Sequence, residues 1–285
     1  MKTFIQVSTL QKFLTHKRDK GKTIALVPTM GALHDGHLTL IKNALSVADI
    51  VVCSIFVNPT QFNKADDLKK YPRQQKKDAA LLKSVGCHVL FAPNVKQVYP
   101  SDFVRNEANL GKLAQVMEGA NRPGHFEGVV EVVSRLFDIV EPNKALFGEK
   151  DFQQLAVLRK MTEELDYNIE ILGVPIVREK SGLAMSSRNQ RLSKKGKIQA
   201  AFIFKTLSEL SGNYASLTPN TVKSVIKDKF EKESTLELEY FELGDNRLLQ
   251  PIKNWKGPDG VRAFIGAWID GVRLIDNMEL IPAKR

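Results

Sequence analysis

The sequence predicts an α/β protein, a parallel-sheet domain with helices on both faces followed by a smaller α+β C-terminal domain. Three observations carry this. Short, continuous, β-branched runs alternate with longer amphipathic ones through the first 180 residues. The alternation stops near Gln190, after which two helical stretches precede a group of strands. The chain's 285 residues, 43% of them hydrophobic and 26% charged, suffice for one large or two unequal domains and exclude a disordered, collagenous or fibrous chain. The pattern divides the chain into residues 1–180 and 181–285.

Taken in order, residues 23–28 (TIALVP) and 50–57 (IVVCSIFV) read as strands covered on both faces. Between them Leu38, Ile41, Ala44, Leu45 and Ala48 recur at spacings of three and four, one buried helical stripe. Residues 76–85 read as a helix ending at Gly86, a natural C-cap residue, before a short strand at 88–91. Val129, Val132, Val133, Leu136, Phe137 and Val140 form a second stripe closed by Pro142. A brief strand at 145–147 leads into a helix over 151–165, with Asp151 as its N-cap, and 169–174 is one more strand. Right-handed βαβ units follow, whose ligands bind beyond the carboxyl ends of strands where the strand order reverses. In the second domain, helices over 194–210 and 221–232 precede strands at 236–243, 261–269 and 272–275, with Trp268 in the core.

The longest apolar run, residues 50–57, falls far short of the about 20 residues that span a bilayer. The first 16 residues show no apolar stretch or cleavage pattern of a signal peptide. Two cysteines, Cys53 and Cys87, without a CxxC pair, point to a reduced cytoplasmic protein without a disulfide scaffold or zinc knuckle. The net charge of +10 suits a small anionic substrate as well as a nucleic acid or a membrane surface. Aromatic residues do not interleave with the basic ones, so nucleic-acid stacking is not expected.

The chemistry concentrates in three segments. Met30-Gly31-Ala32-Leu33-His34-Asp35-Gly36-His37 follows a strand and opens a helix, where glycines admit a close ligand and the helix N-terminus favours an anion. His34 and His37 at that mouth suit phosphate chemistry, helix capping or half of a zinc site, and no HExxH motif or neighbouring cysteine favours the last. Gly148-Glu149-Lys150-Asp151 again lies between a strand and a helix, with Lys150 a point charge for phosphate. Met185-Ser186-Ser187-Arg188 offers two hydroxyls, successive backbone donors and a guanidinium, a phosphate clamp or a solvated loop.

Read together, these segments resemble the pantothenate synthetase family. Its HxGH signature is His34-Asp35-Gly36-His37 here. Alone, it marks only the wider nucleotidyltransferase group, which shares a Rossmann-like core with class I aminoacyl-tRNA synthetases. The longer strings are more specific: PTMGALHDGH, SIFVNPTQF, YPR at 71–73, RPGHFEGV, FGEKDFQQL and GLAMSSRN, in the family's order across residues 28–189. The resemblance implies ATP-dependent condensation of pantoate with β-alanine to pantothenate, AMP and pyrophosphate, through a pantoyl adenylate, in coenzyme A precursor biosynthesis.

Carried over by position, His37, His34, Lys150 and Arg188 would act in catalysis. Residues Met30 to His37, Gly148, Glu149, Lys150, Asp151, Val177 and Met185 to Arg188 would hold ATP. Gln61 and Gln154 would hold pantoate, with Gln61 also bordering β-alanine. The resemblance further implies Mg2+ with the ATP, no tightly bound organic cofactor and a homodimer. The protein ligands of the metal are not defined, although Asp78 is a candidate. Two positions depart from the family pattern. Ser181 stands where Asp is usual, and Glu131 stands where Thr is usual, which puts a charge near a buried or interfacial face.

Overall fold

The computed structural model describes residues 1–61, 68–69, 71–257 and 259–283. Phe62, which ends the SIFVNPTQF string, lies outside them. The chain forms two compact units. The first comprises Met1–Leu110, Arg122–Glu149 and Val157–Pro175, and the second Gly111–Asn121, Lys150–Ala156 and Ile176–Arg285.

The first unit is built on six parallel strands: β1 (Lys2–Phe4), β2 (Ile24–Thr29), β3 (Ile50–Ile55), β4 (Val89–Phe91), β5 (Lys144–Gly148) and β6 (Glu170–Val174), ordered β1-β4-β3-β2-β5-β6. Strands β2 and β3 pair from Ile24↔Ile50 to Thr29↔Ile55. The chain steps outward from β2 to β3 and β4, then returns to the other side of β2 as β5, so the order reverses between β2 and β5. Helices α1 (Val7–Arg18), α2 (Asp35–Val47), α3 (Gln75–Ser84), α4 (Val95–Val98), α5 (Met117–Asn121) and α6 (His125–Val140) follow in chain order, with α5 in the second unit.

One core joins Ala25, Val27, Val51 and Cys53 of the sheet to Leu33, Leu40, Ile41, Ala44 and Leu82. Their strand neighbours Ile24, Leu26 and Val52 face the opposite side and are equally buried, which is why these strands read as unbroken apolar runs. Cys53 and Cys87 are free and buried, and burial pushes both thiols up.

Three details differ from the sequence reading. The N-terminal segment supplies β1 and α1. Glu149–Asp151 is a 3-10 turn, so α7 (Phe152–Glu164) begins after Asp151 rather than being capped by it. The last strand runs well past residue 275.

In the second unit, α8 (Lys194–Asn213) and α9 (Pro219–Lys232) pack on an antiparallel sheet of β7 (Glu237–Gly244), β8 (Val261–Ile269) and β9 (Val272–Ile281). Ile203 and Leu207 of α8 and Ile226 and Phe230 of α9 meet Phe241, Ile265 and Leu274 of the sheet. Asp270 and Gly271, both at positive φ (52° and 68°), join β8 to β9 in a two-residue turn that suits the twist of a hairpin. The Asp270 carboxylate also accepts from the Ser193 backbone N–H and hydroxyl at the start of α8. Trp268 is half-buried and donates from its indole N–H to Glu239.

Segment 111–121 joins this unit through ion pairing. Arg273 donates both terminal guanidinium nitrogens to Glu118, each at 2.7 Å, and also bonds Glu239. Tyr240 donates to Glu118 at 2.7 Å, and burial together with that carboxylate pushes its phenol up. The Gln153 amide accepts from the Glu118 N–H and donates to the carbonyls of Leu113 and Val116. Among the described residues no helix is long and apolar enough to cross a membrane. Arg273→Met would leave the buried Glu118 carboxylate and the half-buried Glu239 carboxylate without their guanidinium and is expected to cost roughly 3–5 kcal/mol, read as a lowered urea midpoint. A loss within about 0.5 kcal/mol, the scatter of ordinary surface substitutions, would show that the network stabilises nothing.

Candidate functional site

The turn from β2 to α2 lies where the strand order reverses. Gly31 and Ala32 both have positive φ (83° and 51°), a conformation that costs an alanine energy unless its surroundings hold it. The restraint is Asp78, on the first turn of α3 and only 1% exposed. Its two oxygens accept from the N–H groups of Ala32 (3.0 Å) and Leu33 (2.9 Å). Sequence reasoning offered Asp78 as a magnesium ligand; the structure gives its carboxylate to the turn. A Cβ on Gly31 would sit 3.0 Å from Ile55 and 3.1 Å from that carboxylate, tight contacts on both sides.

His34 and His37 cap α2. The His34 Nδ1 accepts from the Gly36 N–H at 3.2 Å, and the His37 Nδ1 accepts from the His34 N–H at 3.3 Å. The rings stand 4.0 Å apart. With Nδ1 of each ring used as an acceptor, the neutral imidazoles carry their protons on Nε2. Capping and phosphate donation, alternatives in the sequence, are thus compatible on different ring nitrogens.

Gln61 ends the 3-10 turn Pro59–Gln61, and its amide nitrogen lies 2.8 Å from the Met30 sulfur. Asn58, buried and absent from the sequence-derived candidates, organises this turn. Its Nδ2 donates to the Gly128 carbonyl (3.1 Å), Thr60 Oγ1 (2.9 Å) and Gln61 Oε1 (3.4 Å), while Tyr99 donates to its Oδ1. Burial, then the Glu131 charge, pushes the Tyr99 phenol up. Glu131 itself is buried and paired with Arg105 at 3.2 Å, so its charge is compensated at the face where the family usually has Thr. Gly128 lets α6 approach this turn: a Cβ there would lie 2.8 Å from the Thr60 carbonyl and 3.0 Å from the Gln61 backbone.

Gly148 and Glu149 leave the carboxyl end of β5 beside β2 in the first unit. In the second unit, Lys150 lies 3.8 Å from exposed Asp151, and its carbonyl accepts from Asn277 Nδ2 at 3.0 Å. Gln154 is half-buried on the first turn of α7. Arg178 and Ala184 bridge as an antiparallel pair, and the Met185 N–H donates to the Val177 carbonyl, so Val177 and the serine loop share a narrow hairpin. Ser186 Oγ accepts from the Arg188 N–H and caps the turn Ser187–Arg191. Ser181 Oγ accepts weakly from Leu183, at 3.4 Å. Asp276, buried beneath this hairpin, has its carboxyl pushed up by burial and opposed by Arg178.

A parallel sheet whose switch point carries an HxGH turn at a helix N-terminus defines a nucleotide-binding α/β protein. The pantoate-beta-alanine ligase family model matches residues 2–279. The chain belongs to that family. It is 47% identical over 279 residues to the pantothenate synthetase of Porphyromonas gingivalis, covering 98% of this chain and 99% of the relative. It is 43% identical over 283 residues to that of Cytophaga hutchinsonii, covering 99% and 100%. The pantothenate synthetase structure from Thermus thermophilus superposes with a TM-score of 0.92 at 37% identity, over 99% of this chain and 100% of that one. The pantoate-beta-alanine ligase from Francisella tularensis, complexed with beta-gamma ATP and beta-alanine, matches with a TM-score of 0.81 at 34% identity, over 98% of each chain.

Because backbone, not a flexible side chain, opposes a Cβ at Gly128, Gly128→Ala is expected to displace Gln61. With Gln61 holding pantoate, as the resemblance implies, pantoate affinity should fall about tenfold, about 1.4 kcal/mol, with ATP affinity unchanged. Separate titrations of the two ligands check this; an equal loss of both would place Gln61 elsewhere.

Proposed function

We propose that the protein condenses pantoate with β-alanine at the expense of ATP, forming pantothenate, AMP and pyrophosphate. The observation that carries this is the full-length family match, with the HxGH turn at the sheet's switch point. The pantoate carboxylate attacks the α-phosphorus of ATP and pyrophosphate leaves. The β-alanine amine then attacks the carbonyl of the mixed anhydride, and AMP leaves with the carboxylate oxygen.

No covalent bond to the enzyme is needed, so the chain's work is alignment and stabilisation of charge. In this reading the nucleotide runs along the turn from Met30 to His37, and the Nε2–H groups of His34 and His37 donate to its phosphates. The N-terminal end of α2 adds partial positive charge there. Gly148, Glu149 and Asp151 meet the ribose side and Val177 the adenine edge. Lys150 and residues Met185 to Arg188 take the phosphates. Gln61 and Gln154 bond pantoate, and Gln61 borders β-alanine. A glutamine amide bonds hydroxyl and carboxylate without offering a competing nucleophile.

Magnesium enters as part of the Mg-ATP substrate. Among the described residues no group of three His, Cys, Asp or Glu side chains is placed to hold a resident ion, and both Asp78 oxygens are bonded to backbone N–H groups. The resemblance supports a homodimer, and the two buried thiols suit a reducing, cytoplasmic setting.

ATP–pyrophosphate exchange should therefore require pantoate and not β-alanine; exchange supported by β-alanine alone would sink the reading. His37→Ala and Lys150→Ala should each lower the single-turnover rate of AMP formation by roughly 10²–10³, the usual loss for a transition-state donor. Thermal melting read beside the rate separates the two roles of His37. An unchanged rate in both variants would remove them from the reaction.

A further inference from the structure

We propose that Asp276 and Asn277, adjacent on β9, are positioning residues that hold both phosphate-binding segments of the second unit, Asn277 through Lys150 and Asp276 through Arg178. This rests on the reading that Lys150 and residues Met185 to Arg188 serve the ATP phosphates. Neither residue of the pair lies in a segment that the resemblance assigns to substrate. Both are buried, 5% and 2% exposed, in a strand whose neighbours are apolar. A buried carboxylate and a buried amide in a sheet persist only where their bonds are satisfied.

The Asp276 carboxylate takes a two-pronged bond from Arg178, at 2.5 and 3.0 Å. The same guanidinium donates to the Gly182 carbonyl at 3.2 Å and lies 4.2 Å from the centre of the Phe204 ring. Gly182 sits at φ +90°, and a Cβ there would be 2.1 Å from that ring. Arg178 is thus held by a carboxylate, a carbonyl and an aromatic face, an arrangement that a lysine cannot reproduce. It fixes the hairpin from 178 to 184 that delivers Met185 to Arg188. Asn189, directly after the loop, donates to Glu179 Oε1 (2.9 Å) and the Ala184 carbonyl (3.0 Å), closing the hairpin from within.

Successive side chains leave a strand on opposite faces, so Asn277 serves a different segment. It accepts from Arg262 at 2.7 Å and donates to the Lys150 carbonyl at 3.0 Å. Arg262 lies 3.8 Å from the centre of the Phe152 ring, two residues beyond Lys150. Lys150, Ser186, Asn189 and Asp276 line one cavity of about 10 Å³, room for at most one water. Two segments about 35 residues apart in sequence are therefore registered by one dipeptide about 90 residues further on.

The test uses full-length Asp276→Asn and Asn277→Leu in pantoate-dependent ATP–pyrophosphate exchange, with trypsin cleavage within residues 180–191 of the ligand-free protein read in parallel. Ile265→Val, in the same sheet, controls for lost stability. The expected result is a tenfold or greater loss of kcat/KM for ATP in both variants with the KM for pantoate within twofold of wild type. Asp276→Asn should also be cleaved at least fivefold faster, while Ile265→Val lowers the melting temperature without either change. Asp276→Asn should add less than twofold when Arg188 is already Ala, since both act through the loop. A lower melting temperature with wild-type kinetic constants and cleavage would overturn the proposal. Should Asp276→Asn not fold, Arg178→Lys, which keeps the charge but not the fork, carries the same expectations. If the wild-type chain shows no pantoate-dependent exchange, the functional reading fails by itself, and the cleavage rates then decide the anchoring.

Discussion

The arrangement of the first unit depends on one buried carboxylate accepting two backbone N–H groups. Asp78 is almost wholly removed from water, where a charge without bonded partners is not tolerated. The amides of Ala32 and Leu33 supply those bonds, and the N-terminal end of α3 adds favourable dipole. In return the turn is held at two consecutive left-handed residues, which aims the His34–His37 capping pair at the mouth of α2. The bond links α3 to the turn that follows β2, and strand order, loop shape and ring orientation form one connected arrangement.

Much of that fold is legible in the sequence because doubly covered strands need unbroken apolar runs, as in residues 24–27 and 50–53, and because α2 carries a single stripe. β1 and α1 escape because a three-residue edge strand reading Lys-Thr-Phe has no apolar run, and Gln6 gives α1 no side-chain cap. Asp151 reads as a cap because acidic residues favour that position, yet the chain makes a 3-10 turn before α7 begins. The strand at 272–275 reads short because Asp276 and Asn277 interrupt the hydrophobic pattern, and those same polar residues prove to be bonded within the strand.

The candidate site divides similarly. His34, His37, Lys150 and the serine loop announce themselves by residue type beside glycines and strand ends. Asn58 and the turn-holding role of Asp78 do not, because their partners include backbone groups, which carry no residue-type signal, at Gly128, Ala32 and Leu33, and a tyrosine 41 residues further on. Glu131 shows the reverse case. Its charge looks misplaced on an apolar helix until Arg105, 26 residues earlier, is seen to reach it. A local pattern reveals which groups bear chemistry; it does not reveal which distant groups make them hold still.

The ion pairs of Glu118 bear on the order in which the molecule assembles. Segments 111–121 and 150–156 belong to the second unit, yet their partners Tyr240, Arg262, Arg273 and Asn277 are synthesised about 110 to 155 residues later. The Glu118–Arg273 bond spans 155 positions. Such long closures are entropically slow and depend on what has already formed. All six strands of the parallel sheet are made before those partners, so the two segments wait, one of them carrying a carboxylate whose arginine is not yet synthesised. Synthesis that paused before β9 would leave those segments without Arg273 and Asn277, open to misassociation and proteolysis.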